Sequence, residues 1–241
     1  MNLSSSDKSG MLRFLTDELQ AAEDAGDRAW ILGHVPTGWC GTNALKNPSN
    51  LFYQIVDRYS PHVIAGIFFG HDHEDELSIY YANNATDIGA DNALTVSWIM
   101  PSVIPLTNLN SGFRMYEVDS GTFEVLDSYT WYADVNLFGA LDGQTEFGPT
   151  YQLEYSAREA YGASIEWGPN DPLNATWWHL VTEAMEANST LVELFNTYQG
   201  KSSVRSSACT GECIPAKICY MRSGSASIAA ANCPSGHGSV Q

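Results

Sequence analysis

Basic residues are scarce in this 241-residue chain: eleven Lys and Arg stand against 28 Asp and Glu, a formal charge of −17. That balance excludes nucleic acid and anionic membrane surfaces as electrostatic partners, and the acidic excess reads as a solvated surface. No apolar run approaches the ~18–20 residues needed to span a bilayer, so no transmembrane segment is expected. The stretch Met1–Gly10 is polar and Ser-rich, without the apolar centre of a signal peptide. What is present is globular material. Hydrophobic residues make up 44%, with seven Trp and twelve Tyr, too much apolar and aromatic matter for a disordered tail. The length suits one large domain or two small ones.

The chain is organised around Gly66–Glu76. An apolar run from Val63 to Phe69 reads as a buried strand ended by Gly70. His71 and His73 follow at once, where the chain stops pleating and both imidazoles can turn toward one point. Neutral imidazole is the commonest protein metal ligand, and its second N–H usually meets a carboxylate or carbonyl. Asp72, Glu74, Asp75 and Glu76 are nearby candidates for that partner. The same strand–Gly–His ending occurs in Ala29–His34, with Gly33 before His34. A lone histidine after a strand is more often a hydrogen-bonded loop residue than a ligand. The two endings together favour metal.

Around them the pattern is α/β. Leu12, Leu15, Leu19 and Ala22 predict a helix over Met11–Ala25 with Gly26 just past its end. A strand over Ala29–Leu32 comes next. Ser49 or Asn50 is expected to cap a helix carrying Leu51, Ile55 and Tyr59, ended by Pro61 before the strand His62–Phe69. Ligands at successive strand ends place a site on the carboxyl edge of the sheet. Leu77–Tyr81 and Leu94–Met100 read as strands, with an exposed loop from Asn83 to Asn92 between them. Phe113–Val118 and Thr122–Leu126 flank Asp119-Ser120-Gly121 as a hairpin. A Gly-rich connection from Asp134 to Pro149 leads to helices near Tyr151–Tyr161, Ala175–Ala187 and Thr190–Tyr198. Trp177, Trp178, Phe195 and Tyr198 could form a lipid-binding face, but their helical spacing favours core packing. His62, His179 and His237 take structural roles.

Sequons at Asn2, Asn84, Asn174 and Asn188 point outside the cell, while Asn47 is blocked by Pro48. Cys209, Cys213, Cys219 and Cys233 crowd a Ser-, Gly- and Ala-rich end too poor in apolar residues to hold itself together, where disulfides are the usual remedy. A zinc knuckle including His237 is the other reading, and the spacing matches it poorly.

Gly33-His34 followed by Gly70-His71-Asp72-His73 resembles the last two blocks of the calcineurin-like metallophosphoesterases. Ile31–Cys40, Phe68–Glu76, Pro101-Ser102 and Leu109–Tyr116 resemble the secreted acid sphingomyelinase branch, from about Leu12 to the closing cysteines. The resemblance implies an α/β fold in two parts. Residues 1–135 would be the C-terminal half of a four-layer metallophosphoesterase β-sandwich flanked by helices, its N-terminal half missing. Residues 136–241 would be a helical, disulfide-closed subdomain.

It also implies a secreted two-zinc phosphodiesterase that hydrolyses sphingomyelin to ceramide and phosphocholine, with possible peripheral lipid contact. His34 and His71 would serve one ion and His73 the other. The family's upstream Asp-x-His, Gly-Asp and Gly-Asn-His blocks have no counterpart here, including the histidine that assists the leaving group. No catalytic residue is therefore assigned, and the chain alone is expected to be inactive. The resemblance further implies Cys209–Cys213 and Cys219–Cys233 disulfides and leaves Cys40 without its upstream partner; the sequons themselves predict glycosylation at Asn84, Asn174 and Asn188. Two other readings stand beside it: a non-catalytic secreted glycoprotein that binds lipid or a partner, and a metallophosphoesterase acting on polyphosphate or another phosphodiester.

Overall fold

A computed structural model describes residues 7–39, 45–106 and 109–241. Asn2 and Cys40 lie outside them. Helix α1 (Met11–Ala25) runs as its periodicity predicts, and Gly26 closes it at φ 74° with its N–H on the carbonyls of Ala22 and Glu23, a left-handed cap that glycine adopts without a Cβ penalty. Strand β1 (Ala29–Leu32) follows.

Helix α2 (Lys46–Tyr59) starts earlier than the sequence predicts. Pro48 sits in its first turn, where a missing N–H breaks no helical bond. Ser49 is buried instead of capping: its hydroxyl donates to the Thr37 carbonyl at 2.6 Å and accepts from the Ala226 N–H at 3.0 Å.

Strands β2 (Ile64–Phe69) and β3 (Glu76–Tyr81), a single turn α3 (Ala82–Ala85) and β4 (Ala93–Ile99) complete the first sheet, in the order β1-β2-β4-β3. The first three strands in that order are parallel and β3 is antiparallel to β4. β1 and β2 therefore end on the same edge, which is what brings the two Gly-His endings together.

The second sheet is an antiparallel meander of β5 (Ser111–Val118), β6 (Val125–Ala133) and β7 (Gln152–Ser156). The hairpin between β5 and β6 is present with a wider turn than expected. Asp119 accepts through Oδ1 from the N–H groups of Gly121 and Thr122 at 2.9 and 2.7 Å, and its own N–H donates to the Glu124 carbonyl at 3.0 Å. This pulls Thr122–Glu124 out of the ladder.

The expected helix at Tyr151–Tyr161 is corrected in its first half. Gln152–Ser156 pairs with β6, Thr130 opposite Tyr155, and only α4 (Ala157–Tyr161) is helical. Tyr151, Leu153 and Tyr155 alternate with polar residues, and β6 offers them an edge to pair with. The two sheets meet where the Tyr116 ring of β5 stands edge-on to Phe68 at 5.0 Å and to Trp98 at 5.6 Å.

Helices α5 (Ala175–Ala187), α6 (Thr190–Gln199), α7 (Cys213–Met221) and α8 (Ala226–Asn232) form a C-terminal layer. α5 and α7 pack on the first sheet, and α8 packs on α2. Trp177, Trp178 and Phe195 are buried in the core cluster, and Tyr198 stacks on Tyr155 with centroids 4.2 Å apart. These aromatics are core. His179 is buried against the Tyr81 hydroxyl at 2.9 Å. Cys209–Cys213 and Cys219–Cys233 are disulfide-bonded, the second tying α7 to the residue after α8. Among the described residues no helix is long and apolar enough to cross a membrane.

Candidate metal centre

Leu32 lies opposite Phe68 in the parallel β1–β2 ladder, and the pairing continues past both strand ends. The Gly33 N–H donates to the Phe68 carbonyl at 2.9 Å, and the Gly70 N–H to the His34 carbonyl at 3.0 Å. A Cβ on residue 33 would stand 2.6 Å from the Phe69 ring, so close approach explains the glycine before His34. This backbone lock brings the imidazoles of His34 and His71 together, centroids 5.2 Å apart and planes at 79°. Both residues are exposed.

His71 and His73 have φ of 78° and 63°. The left-handed region costs an L-residue with a Cβ roughly 1–2 kcal/mol. Between them Asp72 closes a tight turn, its N–H on the Gly70 carbonyl at 3.0 Å. Burial raises the Asp72 carboxyl above its ordinary pKa, opposed by the His71 imidazole, a hydrogen bond with Glu76, and the His73 and His34 imidazoles. His73 is half-buried and its carbonyl accepts from Lys201 Nζ at 2.5 Å. Among the described residues, His34 and His71 are the imidazole pair at ring contact.

The next three carboxylates turn inward, away from the role of imidazole partners that their proximity offers in sequence. Asp75 pairs with Arg114 and accepts from the hydroxyls of Thr130 and Tyr155, each at 2.9 Å. Gln199 Nε2 donates to Glu74 at 2.7 Å and to Glu76 at 2.9 Å. Lys201, Gln199 and Lys217 are buried supports of this loop. Sequence reasoning missed them. A lysine or glutamine more than a hundred positions from its partner carries no local signal.

Among the described residues no group of three or more His, Cys, Asp or Glu side chains is arranged to hold a metal ion. A catalytic zinc site uses about three protein ligands. The imidazole pair suits zinc in donor type and falls short of it in number.

No family model matches the chain. Curated relatives do. Over 221 residues it is 36% identical to the sphingomyelin phosphodiesterase of Bos taurus, a match covering 90% of this chain and 32% of the relative. Over 224 residues it is 35% identical to the Homo sapiens protein of that name, with the same coverages of 90% and 32%. Sphingomyelin phosphodiesterase B of Dictyostelium discoideum is 30% identical over 224 residues, 91% of this chain and 33% of the relative. The chain is a homologue of the sphingomyelin phosphodiesterases.

This homologue spans about a third of the length of the curated relatives it matches. Its sequons sit differently in the fold. Asn84 and Asn188 are exposed. Asn174 is half-buried and caps α5, its Oδ1 accepting from the Trp177 N–H at 3.1 Å.

Proposed function

We propose that this chain carries part of the active-site edge of a secreted, zinc-dependent sphingomyelin phosphodiesterase built as a four-layer metallophosphoesterase sandwich. The further ligands would lie outside these 241 residues. One observation carries the reading: in a homologue of that family, two parallel strands end side by side and present His34 and His71 at ring contact. The reaction is hydrolysis of the phosphodiester between ceramide and phosphocholine. Water adds to phosphorus, the bond to the ceramide oxygen breaks, and that oxygen takes up a proton.

Bound zinc would supply Lewis-acid polarisation of the phosphodiester. His34 and His71 would hold one ion and His73 the other. This chain's own contribution is ligand placement, set by the Gly33 and Gly70 backbone bonds. With fewer donors than a working site needs, the chain by itself is expected to be inactive. Exposed sequons at Asn84 and Asn188 and the two disulfides support a secreted glycoprotein.

Zinc content per chain, measured by elemental analysis on the purified protein beside His71→Ala, tests this. Near-stoichiometric zinc that falls in the variant supports the ligand role. Zinc absent from both would overturn it. That second outcome would favour a non-catalytic secreted glycoprotein.

A further inference from the structure

A second network lies directly beneath the histidine loop and is assembled from the far end of the chain. Glu74, next to His73, accepts from Gln199 Nε2 at 2.7 Å, from the Val240 N–H at 3.1 Å and from the Ser239 hydroxyl. The neighbouring Gly238 carbonyl accepts from Gln199 Nε2 at 2.7 Å, Lys217 Nζ at 2.9 Å and Trp39 Nε1 at 3.1 Å. Val240 is 1% exposed, and its carbonyl accepts from the Ser207 N–H at 2.7 Å. Gly238–Val240 is thus a strap: fixed to the body at Trp39, Ser207 and Lys217, and gripping Glu74 by its free face.

The loop above it needs such a grip. Two residues with side chains, His71 and His73, stand in the left-handed region within three positions. Conformers of this kind persist only where the surroundings over-determine them. On the upstream side Gly70 is pinned by one backbone bond to His34. On the downstream side the second sheet holds Asp75 through Arg114, Thr130 and Tyr155, and the C-terminal part of the chain adds Lys201 Nζ on the His73 carbonyl, the Gln199 carbonyl on the Asp75 N–H at 3.0 Å, and the strap on Glu74. Removing the strap leaves the Glu74 carboxylate with Gln199 alone among these donors. It also opens a buried space where Val240 lay.

We propose that the strap Gly238–Val240, acting through Glu74, is a positioning element that holds His71 and His73 in the left-handed geometry in which His71 meets His34. The proposal rests on the metal-site reading for the purpose of that geometry, and on the hydrogen-bond network alone for its existence.

The test uses the full chain, a chain ending at Gly238, Glu74→Gln, Ser239→Ala and Ser239→Thr. Val192→Ala in α6 serves as a control that loosens the core away from the loop. Two quantities are read: hydrogen exchange of the peptide covering residues 70–76, and zinc affinity by competition with a chromophoric chelator. The shortened chain and Glu74→Gln should exchange the loop amides about tenfold faster and bind zinc roughly tenfold more weakly, the size of effect usual for an outer-shell partner. Ser239→Ala should move the same way, and Ser239→Thr, which keeps the hydroxyl, should not. Val192→Ala should lower the melting temperature with neither change.

Loop protection equal to the parent's in both the shortened chain and Glu74→Gln would overturn the proposal. If the shortened chain does not fold, Glu74→Gln decides. A parent chain that binds no zinc would sink the metal-site reading, and the exchange measurement would still decide the strap.

Discussion

Arg114 and Asp75 form an ion pair almost wholly out of water, their side chains 2% and 4% exposed. The guanidinium lies 5.7 Å over the Trp98 ring and donates to the Tyr155 hydroxyl at 2.8 Å. Strand β5 is thereby bonded to the residue two beyond His73. Removing one partner strands the other charge in the core, which costs about 3–5 kcal/mol. Arg114→Met should lose that much in urea unfolding. The double variant Arg114→Met/Asp75→Leu should recover part of the loss. Additive losses in the double variant would mean that the pair is not the source of the effect.

Stability should fall as pH rises through neutrality, with Glu154 as a principal cause. Burial lifts its carboxyl from an ordinary 4.5 to about 8, against the hydrogen bond from Ser202. Between those values the folded chain keeps a proton that the unfolded chain gives up. Its favourable contribution is complete below about 4.5 and is lost as pH rises toward 8, at ~1.4 kcal/mol per pH unit for one proton. Thermal melts from pH 5 to 8 should show a slope that Glu154→Gln flattens. Parallel slopes in the two proteins would exclude Glu154 as its source.

Gly38→Ala should loosen the seam between the histidine side of the fold and the C-terminal helices. A Cβ there would stand 2.2 Å from the Ser223 carbonyl oxygen and 2.9 Å from the Gly224 Cα. These are backbone atoms that no rotamer change can clear. The bond from the Trp39 N–H to that carbonyl, 3.1 Å long, must stretch or break. Overpacking of this kind costs about 1–3 kcal/mol. A melting temperature unchanged from the parent's would show that the seam yields freely.

Cys219 and Cys233 close a loop with a sequence separation of 14. Loops near that size contribute about 3 kcal/mol in the chain-entropy picture. Cys233→Ser should lose a comparable amount in unfolding experiments, and reductant should then weaken the variant less than the parent. Equal sensitivity to reductant would place the stabilisation in Cys209–Cys213.

The elements whose partners lie close in sequence were the legible ones. α1 announced itself through Leu12, Leu15 and Leu19. Each glycine before a histidine marked a strand end, and at Gly33 the reason is close approach to the Phe69 ring. Positions decided by distant neighbours were misread. Ser49 resembles a helix cap, but its hydroxyl is taken by Thr37 and the N–H of Ala226. Gln152–Ser156 has mixed propensities and became a strand because β6 had an edge to fill. Glu74–Glu76 look in sequence like companions of the imidazoles. Buried Gln199, Lys217 and Arg114 draw them the other way, and no local pattern records the positions of those side chains.

The strap also imposes an order on how the protein comes into being. Glu74 and Ser239 are separated by 165 positions, and a ribosome delivers Glu74 first. The strands and helices around His34 and His71 can gather while the rest is still being made, yet the turn bearing His71 and His73 gains its last fastening only after Val240 has left the ribosome. A nascent chain halted between His73 and Ser239 would carry both histidines and lack the fastening.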